Sequence, residues 1–384
     1  MTMTDAGVQD TDTPTAAAIE AAVDALTEAK LAFGGGLMTA AMGALELGTV
    51  KIGLDLGLYR ALRLASATPT ELAVRSGIHV RYAREWLEQQ FTAGVVEVAD
   101  CDRVADIDPD YRRYSLPEAH AQVLLDGEGD AYFGPVAEMA LSFVGAVPAV
   151  TEAFRTGGGV RFADYGPDTR HSIGHLNRAE FLSALPGWLD AVPDLRDRIA
   201  GATRPKIADV GSGTGWSTIV LGEEFPNAAI VGVDLDRDSV IEARANVAAV
   251  GRSTQIAIRR GDAAKLDAGP FALVTMFQML HDSADPVAVL AAAKQALAVD
   301  GEILLADEAT ADRFGDARGE LMERVQYGCS VLHCLPATMA EDPVEATGTV
   351  IRGETIRRYA AAAGLTVVEE LEVAPGFFRV YRLK

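Results

Sequence analysis

The stretch that most constrains this chain runs from Lys206 to Asp234. It begins with a short apolar run that ends at Asp209, and the segment from Ser217 to Phe225 that follows predicts a helix. Between them lie three glycines at alternate positions: Gly211, Gly213 and Gly215. Glycines in such a turn allow positive backbone torsion angles and let main-chain N–H groups at the helix start approach a ligand. The pattern predicts a strand, a tight loop and a helix that bind a nucleotide-like ligand.

A second apolar run, Ile230 to Val233, ends in Asp234. An acid at the end of such a strand is placed to accept hydrogen bonds from ribose hydroxyls, and Leu235 beside it is a further candidate contact. Two strands joined through a helix make one βαβ unit, which is the building block of a doubly wound α/β sheet.

The glycine spacing separates two ligand classes. A dinucleotide-binding loop reads G-x-G-x-x-G/A, where the third small residue lets the helix pack beneath a pyrophosphate. In that register the third position is Trp216, a bulky residue, and the third glycine comes one position earlier. A nicotinamide-dependent oxidoreductase is therefore the less favoured alternative.

The motif D-x-G-x-G-x-G resembles that of the class I S-adenosylmethionine (SAM)-dependent methyltransferases. The resemblance implies that S-adenosyl-L-methionine is the cofactor and S-adenosyl-L-homocysteine (SAH) the product. It assigns these cofactor contacts to the motif: Asp209, Gly211, Ser212, Gly213 and Gly215. It also implies an α/β fold with a Rossmann-like seven-stranded methyltransferase sheet, whose last strand is antiparallel.

The rest of the C-terminal half fits such a sheet. A third strand, Gln255 to Arg259, leads into Gly261, Asp262 and Ala263. In the resembled family the acid here accepts a hydrogen bond from the adenine amino group while its neighbour packs on the ring. Further β-prone runs predict the remaining strands: Phe271 to Phe277, Gly301 to Ala306, Leu365 to Leu371 and Phe377 to Leu383. Phe277, at a strand end, is also a predicted cofactor contact.

Ligands bind at the carboxyl ends of parallel strands, so the residues after the fourth strand are candidates for the active site. Gln278 to Asp285 resembles the L-H-D-W-S-D element of the O-methyltransferase families, with Ser283 in place of the tryptophan. The match implies that His281 is the general base for the acceptor hydroxyl. Asp307, or Glu308 beside it, is predicted to orient that imidazole. The alternative is that His281 only positions the following loop.

An insertion from Ala311 to Gly348 is predicted to roof the acceptor site with soft and aromatic side chains, which suit an apolar or aromatic acceptor. The predicted pocket residues are Gln278, Asp282, Tyr327, Cys329 and His333. Cys329 and His333 are four residues apart, a spacing that places two metal ligands on one helix face, but no fourth donor accompanies them. No metal site is predicted.

The chain is predicted to divide into four parts. These are a disordered tail over residues 1–15, a helical and winged-helix dimerisation domain over 16–125, a helical linker and cofactor lid over 126–200, and the SAM-binding domain over 201–384, with the roof insertion at 311–348. Tyr165 and Asp168 are the candidate lid residues, and Tyr165 is counted among the cofactor contacts.

Two features mark the first domain. Ala32 to Leu37 contains three consecutive glycines and predicts a break between two helices. The second of these helices has more apolar surface than one small domain needs, which favours a dimer face.

The segment that follows predicts helix, turn, helix and two short strands, which is a winged-helix pattern. A winged-helix domain ahead of a methyltransferase domain resembles the small-molecule O-methyltransferases, whose N-terminal domains form a homodimer. The alternative is a ligand-sensing, DNA-binding regulator that reads DNA through His79, Arg81 and Arg84. Glu85 and Glu88 share that helix and oppose contact with phosphate.

The composition limits which partners and which cellular location are expected. A net charge of −21 and a pI near 4.7 repel polyphosphate, so no nucleic-acid partner is expected. Three cysteines give no disulfide framework and the acidic N-terminus lacks a basic signal-peptide start, so a cytoplasmic location is expected. Charges interrupt Leu31 to Leu64, from which no membrane span is expected. Together these features predict a homodimeric methyltransferase that acts on a small molecule, with oxygen as the favoured acceptor atom.

Overall fold

The computed structural model describes residues 16–98, 105–129, 131–267, 269–316 and 318–384. The predicted disordered tail, residues 1–15, lies outside the described residues. The elements ahead of the large sheet are α1 (Ala16–Asp55), α2 (Leu58–Leu64), α3 (Pro69–Ser76), α4 (Val80–Thr92), β1 (Glu97–Val98), β2 (Tyr114–Ser115), α5 (Glu118–Leu125), α6 (Pro135–Gly145), α7 (Val147–Thr156), α8 (Pro167–Asp190) and α9 (Pro193–Gly201).

Helix α1 runs unbroken for 40 residues. The predicted break at Ala32 to Leu37 is therefore wrong. A glycine inside a helix costs about 1 kcal/mol relative to alanine but keeps its backbone N–H and C=O groups, so strong helix formers on both sides extend the helix through the glycines. Large apolar side chains on α1 are exposed, among them Leu31, Met38 and Leu45.

By length and composition, Ile19–Asp55 is also apolar enough to cross a membrane, with a mean hydropathy of 1.3 and 6% of the apolar window buried. The expectation that no segment has this property is wrong. It fails because the stretch between Lys30 and Glu46 carries no charge. The core helix of a soluble protein passes the same test, so length and composition alone do not make α1 a membrane span.

Helices α3 and α4 form the winged-helix unit together with strands β1 and β2. Helix α3 begins with a capping box, in which Thr68 Oγ1 accepts from the Glu71 amide (3.3 Å) and the Glu71 carboxylate accepts from the Thr68 amide (3.1 Å). Gly77 ends the helix at φ 67°. Strands β1 and β2 pair antiparallel as the wing. The buried core of this unit includes Tyr59, Leu72, Trp86 and Leu87.

Helices α6 to α9 occupy the predicted linker. Pro186 lies inside α8, a single helix of 24 residues, whereas Pro193 stands at the start of α9. The predicted loop from Phe162 to Asp168 is a short 3-10 turn over Phe162–Tyr165, after which α8 begins.

The C-terminal half contains β3 (Lys206–Val210), α10 (Trp216–Glu224), β4 (Ala229–Asp234), α11 (Arg237–Ala249), β5 (Ile256–Arg260), β6 (Phe271–Phe277), α12 (Pro286–Ala296), β7 (Leu297–Glu308), α13 (Leu321–Cys329), α14 (Leu335–Met339), α15 (Gly353–Ala362), β8 (Val368–Glu370) and β9 (Phe378–Leu383). The sheet has seven strands in the order β5-β4-β3-β6-β7-β9-β8. The first five of these are parallel, and β9 runs antiparallel to both of its neighbours. The predicted fold class is confirmed.

Apolar cores cover both faces of the sheet, as a largely parallel sheet requires. One core joins the sheet to α8, α9, α10 and α11, and the other joins it to α12 and α15. Strands β3, β4, β6 and β7 end at one edge. The predicted site residues follow these strand ends.

Candidate active site

The glycine loop connects β3 to α10. Gly211, Gly213 and Gly215 have φ values of 71°, 51° and 86°, a region that non-glycine residues rarely adopt. The amides of Gly211 and Ser212 donate to the Val233 carbonyl at 2.8 and 3.1 Å, which ties the loop to the end of β4. Gly215 lies directly before the first residue of α10, so the loop opens on a helix N-terminus.

Asp209, at the end of β3, is buried beneath this loop. One carboxylate oxygen accepts from the hydroxyls of Ser217 (2.7 Å) and Thr218 (2.5 Å), and the other accepts from Thr275 (2.8 Å). Burial raises the pKa of Asp209, and the three hydroxyls act against that shift. Asp209 therefore ties the start of α10 and the neighbouring strand β6 to the end of β3.

Asp234 supports the loop from the second strand. Its Oδ2 accepts from the Gly213 amide and its Oδ1 from the Asp236 amide, both at 2.8 Å. Burial raises the pKa of Asp234 to about 6 against these hydrogen bonds. Each carboxylate oxygen retains a second lone pair for a ligand hydroxyl. Leu235 beside it is exposed.

Asp262 lies after β5 on the same edge of the sheet. Its oxygens accept from the Ala264 amide (2.9 Å) and the Lys265 ammonium (2.8 Å), and the lysine hydrogen bond lowers the pKa of Asp262. The Gly261 amide donates to the Asp234 carbonyl at 2.9 Å, and this bond brings the two acidic strand ends together. Ala263 packs partly buried against the core.

Two observations show that the loop fits a ligand. A Cβ on Gly213 would meet no atom within 4 Å, whereas one on Gly211 would lie 2.5 Å from Met279 Cβ. Ser212 Oγ is buried without a hydrogen-bond partner among the described residues. The loop is thus packed at Gly211 and open at Gly213, and the buried Ser212 hydroxyl is an unpaired polar group among the described residues.

His281 and Asp307 meet at the ends of β6 and β7. His281 Nδ1 lies 2.6 Å from Asp307 Oδ1, and the His281 amide donates to Asp307 Oδ2 at 3.3 Å. Both side chains are buried, at 2% and 1% exposure. A carboxylate on Nδ1 fixes the tautomer with Nδ1–H, which leaves Nε2 as the basic atom.

Asp282 and Cys334 lie on the other side of the imidazole. His281 Nε2 is 3.3 Å from Asp282 Oδ1, and the three donor atoms of His281, Asp282 and Cys334 lie within 4.8 Å of one another. Burial alone would lower the pKa of His281, but Asp282 and Asp307 outweigh it, so the pKa is raised well above its ordinary value. Burial raises the pKa of Cys334 to about 12, which keeps the thiol protonated.

The roof insertion forms α13, a π-helical turn over Ser330–Cys334, and α14. The π turn carries His333 into an aromatic cluster. Its ring stacks on Phe143 (centroids 4.5 Å apart) and meets Tyr165 edge-on (4.7 Å). Burial lowers the pKa of His333 to about 4, so the ring is neutral. Its Nε2 is buried with no partner in the described ranges.

Other predicted contacts have different surroundings. The Tyr165 hydroxyl donates to the Leu332 carbonyl (2.8 Å), so Tyr165 belongs to the aromatic cluster around His333. Phe277 packs in the core against Trp188. Asp168 lies 3.6 Å from Lys51 of α1. The Tyr327 hydroxyl accepts from Arg352 at 3.3 Å, and Tyr327 is exposed, as is Asp282 among the predicted pocket residues.

Cys329 is half-buried near Glu308, and burial raises its pKa to about 11. Gln278 has φ 53°, unusual for a residue with a side chain, and its Nε2 donates to Glu308 at 2.9 Å. No sequence pattern would have selected Gln326, which also donates to Glu308, or Phe143, because both approach the site only through tertiary packing.

Comparison with known families agrees with this geometry. Residues 204–364 match a methyltransferase domain, and residues 43–125 match the Rv2258c-like winged HTH domain. A curated relative, an uncharacterised protein of Synechococcus, is 31% identical over 150 residues, which cover 35% of this chain. The chain spans only 36% of that relative's length.

Solved structures share the whole architecture. The mitomycin 7-O-methyltransferase MmcR has a TM-score of 0.66 at 19% identity, covering 93% of this chain and 99% of its own. Human N-acetylserotonin methyltransferase in complex with SAM has a TM-score of 0.64 at 16% identity, covering 91% and 96%. Residues 204–364 therefore form a methyltransferase domain, with the Rv2258c-like winged HTH domain over residues 43–125 ahead of it. The fold as a whole is that of the two methyltransferase structures.

Proposed function

We propose that the protein transfers the SAM methyl group to a hydroxyl of a small-molecule acceptor, with His281 as the general base. The observation that carries the proposal is the buried His281 Nδ1–Asp307 pair, 2.6 Å apart, which leaves Nε2 for the acceptor proton. When bound, SAM supplies an electrophilic methyl group. The chain's own residues hold the acceptor in line and exclude water, a positioning effect worth several kcal/mol.

The roles of the neighbouring residues follow from their contacts. Asp307 holds the imidazole and stabilises its positive charge once Nε2 takes the proton. The cofactor residues proposed are the glycine loop, Asp234, Leu235 and Asp262, because the loop has an open face and an unpaired Ser212 hydroxyl. The acceptor pocket is formed under the roof by His333, Cys329 and Asp282.

Replacement of His281 tests this function. In His281→Ala we expect kcat for methyl transfer to fall about 10²–10⁴-fold, the usual contribution of a general base. SAH affinity, measured by calorimetry, should be unchanged. Acceptors are found by incubation with isotopically labelled SAM and a screen of products by mass. Near-normal turnover in the variant with SAM binding intact would refute the role of His281.

We also propose that the protein works as a homodimer in the cytoplasm, with α1 as the interface. Support comes from the exposed apolar residues Leu31, Met38 and Leu45, which recur every seventh position and so share one face of the helix. The MmcR and N-acetylserotonin methyltransferase names support a small-molecule acceptor.

A further inference from the structure

Three polar side chains form a cluster beside the His281–Asp307 pair. Glu308 lies at its centre, with Gln278 from the end of β6 on one side and Gln326 from roof helix α13 on the other. Gln278 Nε2 donates to Glu308 Oε1 at 2.9 Å, and Gln326 Nε2 donates to Glu308 Oε2 at 3.4 Å. The Glu308 amide donates to Asp307 Oδ1 at 2.9 Å, so the cluster adjoins the catalytic pair.

The carboxylate fixes the orientation of both amides. Both glutamines turn their NH₂ groups towards Glu308, and Gln326 Nε2 also donates to the Ala309 carbonyl at 3.1 Å. Burial raises the pKa of Glu308, while His281 and the two amides act against that shift. The two Oε1 atoms are left buried, with no hydrogen-bond partner in the part of the chain that the structure describes. Gln326 as a whole is only 3% exposed. Buried acceptors without donors are unfavourable, which makes two of them in one cluster informative.

The backbone gives an independent sign that this is a site. Gln278 has φ 53° directly after β6, at the edge of the sheet where ligands bind in such folds. Side chains other than glycine adopt this region at an energetic cost, and such residues concentrate at functional sites. In this conformation the Gln278 amide donates to Glu308.

We propose that Gln278, Glu308 and Gln326 form a donor-recognition subsite that binds an ammonium or amide N–H group of the acceptor. The proposal rests on the proposed function above, because it places this group beside the hydroxyl that His281 deprotonates. Two carbonyl oxygens and a carboxylate offer only acceptor atoms, which match the three N–H bonds of an ammonium.

The acceptor is favoured over the cofactor as the source of this group. Gln326 lies on the roof, and the electrostatic effect of Glu308 reaches the thiol of Cys329, also on the roof. The α-ammonium of the SAM methionine tail is the rival source, and the experiment separates the two.

Binding to the SAH-loaded full chain tests the subsite without requiring turnover. Two matched pairs of phenols serve as probes: tyramine against 4-propylphenol, and 4-hydroxybenzamide against methyl 4-hydroxybenzoate. In each pair only the first member carries an N–H donor. We expect the donor member to bind at least about tenfold more tightly, because a site built for a donor rejects an analogue that lacks it.

The variants are Glu308→Gln, which removes the charge, and Gln326→Met, which removes one unpaired acceptor together with the NH₂ group that donates to Glu308 and to the Ala309 carbonyl. Glu308→Gln should abolish most of the tyramine advantage, and Gln326→Met should reduce both advantages to about twofold or less. Gln122→Met, on exposed α5, is the matched control and should keep both.

Equal affinities within each pair, or no measurable binding of any probe, would overturn the proposal. SAH and 5′-methylthioadenosine, which lacks the amino-acid tail, are titrated in parallel. If Glu308→Gln weakens SAH but not 5′-methylthioadenosine, the subsite binds the cofactor ammonium and the acceptor assignment is wrong. Failure of the proposed function shows itself differently, as normal turnover in His281→Ala.

Discussion

The two histidines of the site have opposite pKa shifts, and each shift has a local cause. Burial among aromatic rings lowers the pKa of His333 to about 4, and the charge of Asp282 offsets this only in part. Burial also acts on His281, but Asp282 and Asp307 outweigh it and raise its pKa. Environments that separate two titratable groups in this way divide their chemical roles. His281 is suited to take up a proton, and His333 to stay a neutral hydrogen-bonding group.

Asp307→Asn tests the link between the carboxylate and the base. A base works when neutral, so activity rises with pH through the raised pKa of His281. Removal of the Asp307 charge takes away a cause that raises this pKa, so the acidic limb of the kcat profile should move to lower pH. The plateau should fall roughly 10²–10⁴-fold because the imidazole loses its orienting partner.

The pH profile of methyl transfer, measured for the wild type and Asp307→Asn, checks both effects. Asp307→Glu is the control, since it keeps the charge and should keep the position of the acidic limb. An unmoved limb in Asp307→Asn would show that Asp307 does not set the pKa of the base.

At the scale of elements, a substitution in the glycine loop is expected to affect protein stability and ligand affinity for different reasons. Gly213→Ala places a methyl group in open space at φ 51°, so the strain of a left-handed alanine, about 1–2 kcal/mol, is its main effect on stability. The same methyl group obstructs the open face of the loop, and SAH affinity should fall at least about tenfold.

Gly251→Ala is the matched control, because Gly251 also has positive φ (71°) and open space around its Cβ position but lies after α11. Thermal unfolding and SAH calorimetry should show equal destabilisation and a binding loss in Gly213→Ala alone. Equal SAH affinity in both variants would place the ligand elsewhere.

Helix α4, the second helix of the winged-helix unit, is poorly suited to bind DNA. Its arginines are already paired: Arg81 lies 2.5 Å from Glu85, and Arg84 lies 3.3 Å from Asp110 and 3.4 Å from Glu88. We expect fluorescence anisotropy to show a Kd for duplex DNA weaker than roughly 10⁻⁴ M at physiological salt, the weak limit of nonspecific binding. Tight, sequence-dependent binding would revive the regulator alternative.

Local patterns predicted the elements well, since the glycine motif and the strand runs act over short distances. The same patterns could not show side-chain directions. Phe277 lies on a strand buried on both faces, where alternation does not say which face meets the cofactor. The approach of Phe143 to His333 depends on tertiary packing between separate helices, and the glycines of α1 were misread because propensity alone does not end a helix.

At the scale of the whole molecule, the acidic surface and the apolar α1 act in opposite directions. A net charge of −21 favours separate chains through repulsion, which salt screens. The exposed stripe of Leu31, Met38 and Leu45, each more than 70% exposed, favours association. Because apolar burial is not screened, we expect the stripe to dominate at physiological ionic strength.

Light scattering should therefore give about 81 kDa, twice the chain mass of 40.6 kDa. The triple variant Leu31→Lys, Met38→Lys, Leu45→Lys should be monomeric, although it lowers the net negative charge and so reduces repulsion between chains. The matched control carries lysines at Ala22, Ala29 and Ala40, which are exposed on the opposite face of α1, and should stay dimeric. A wild-type monomer, or a chain that sediments with membranes, would assign the stripe to something other than a second copy.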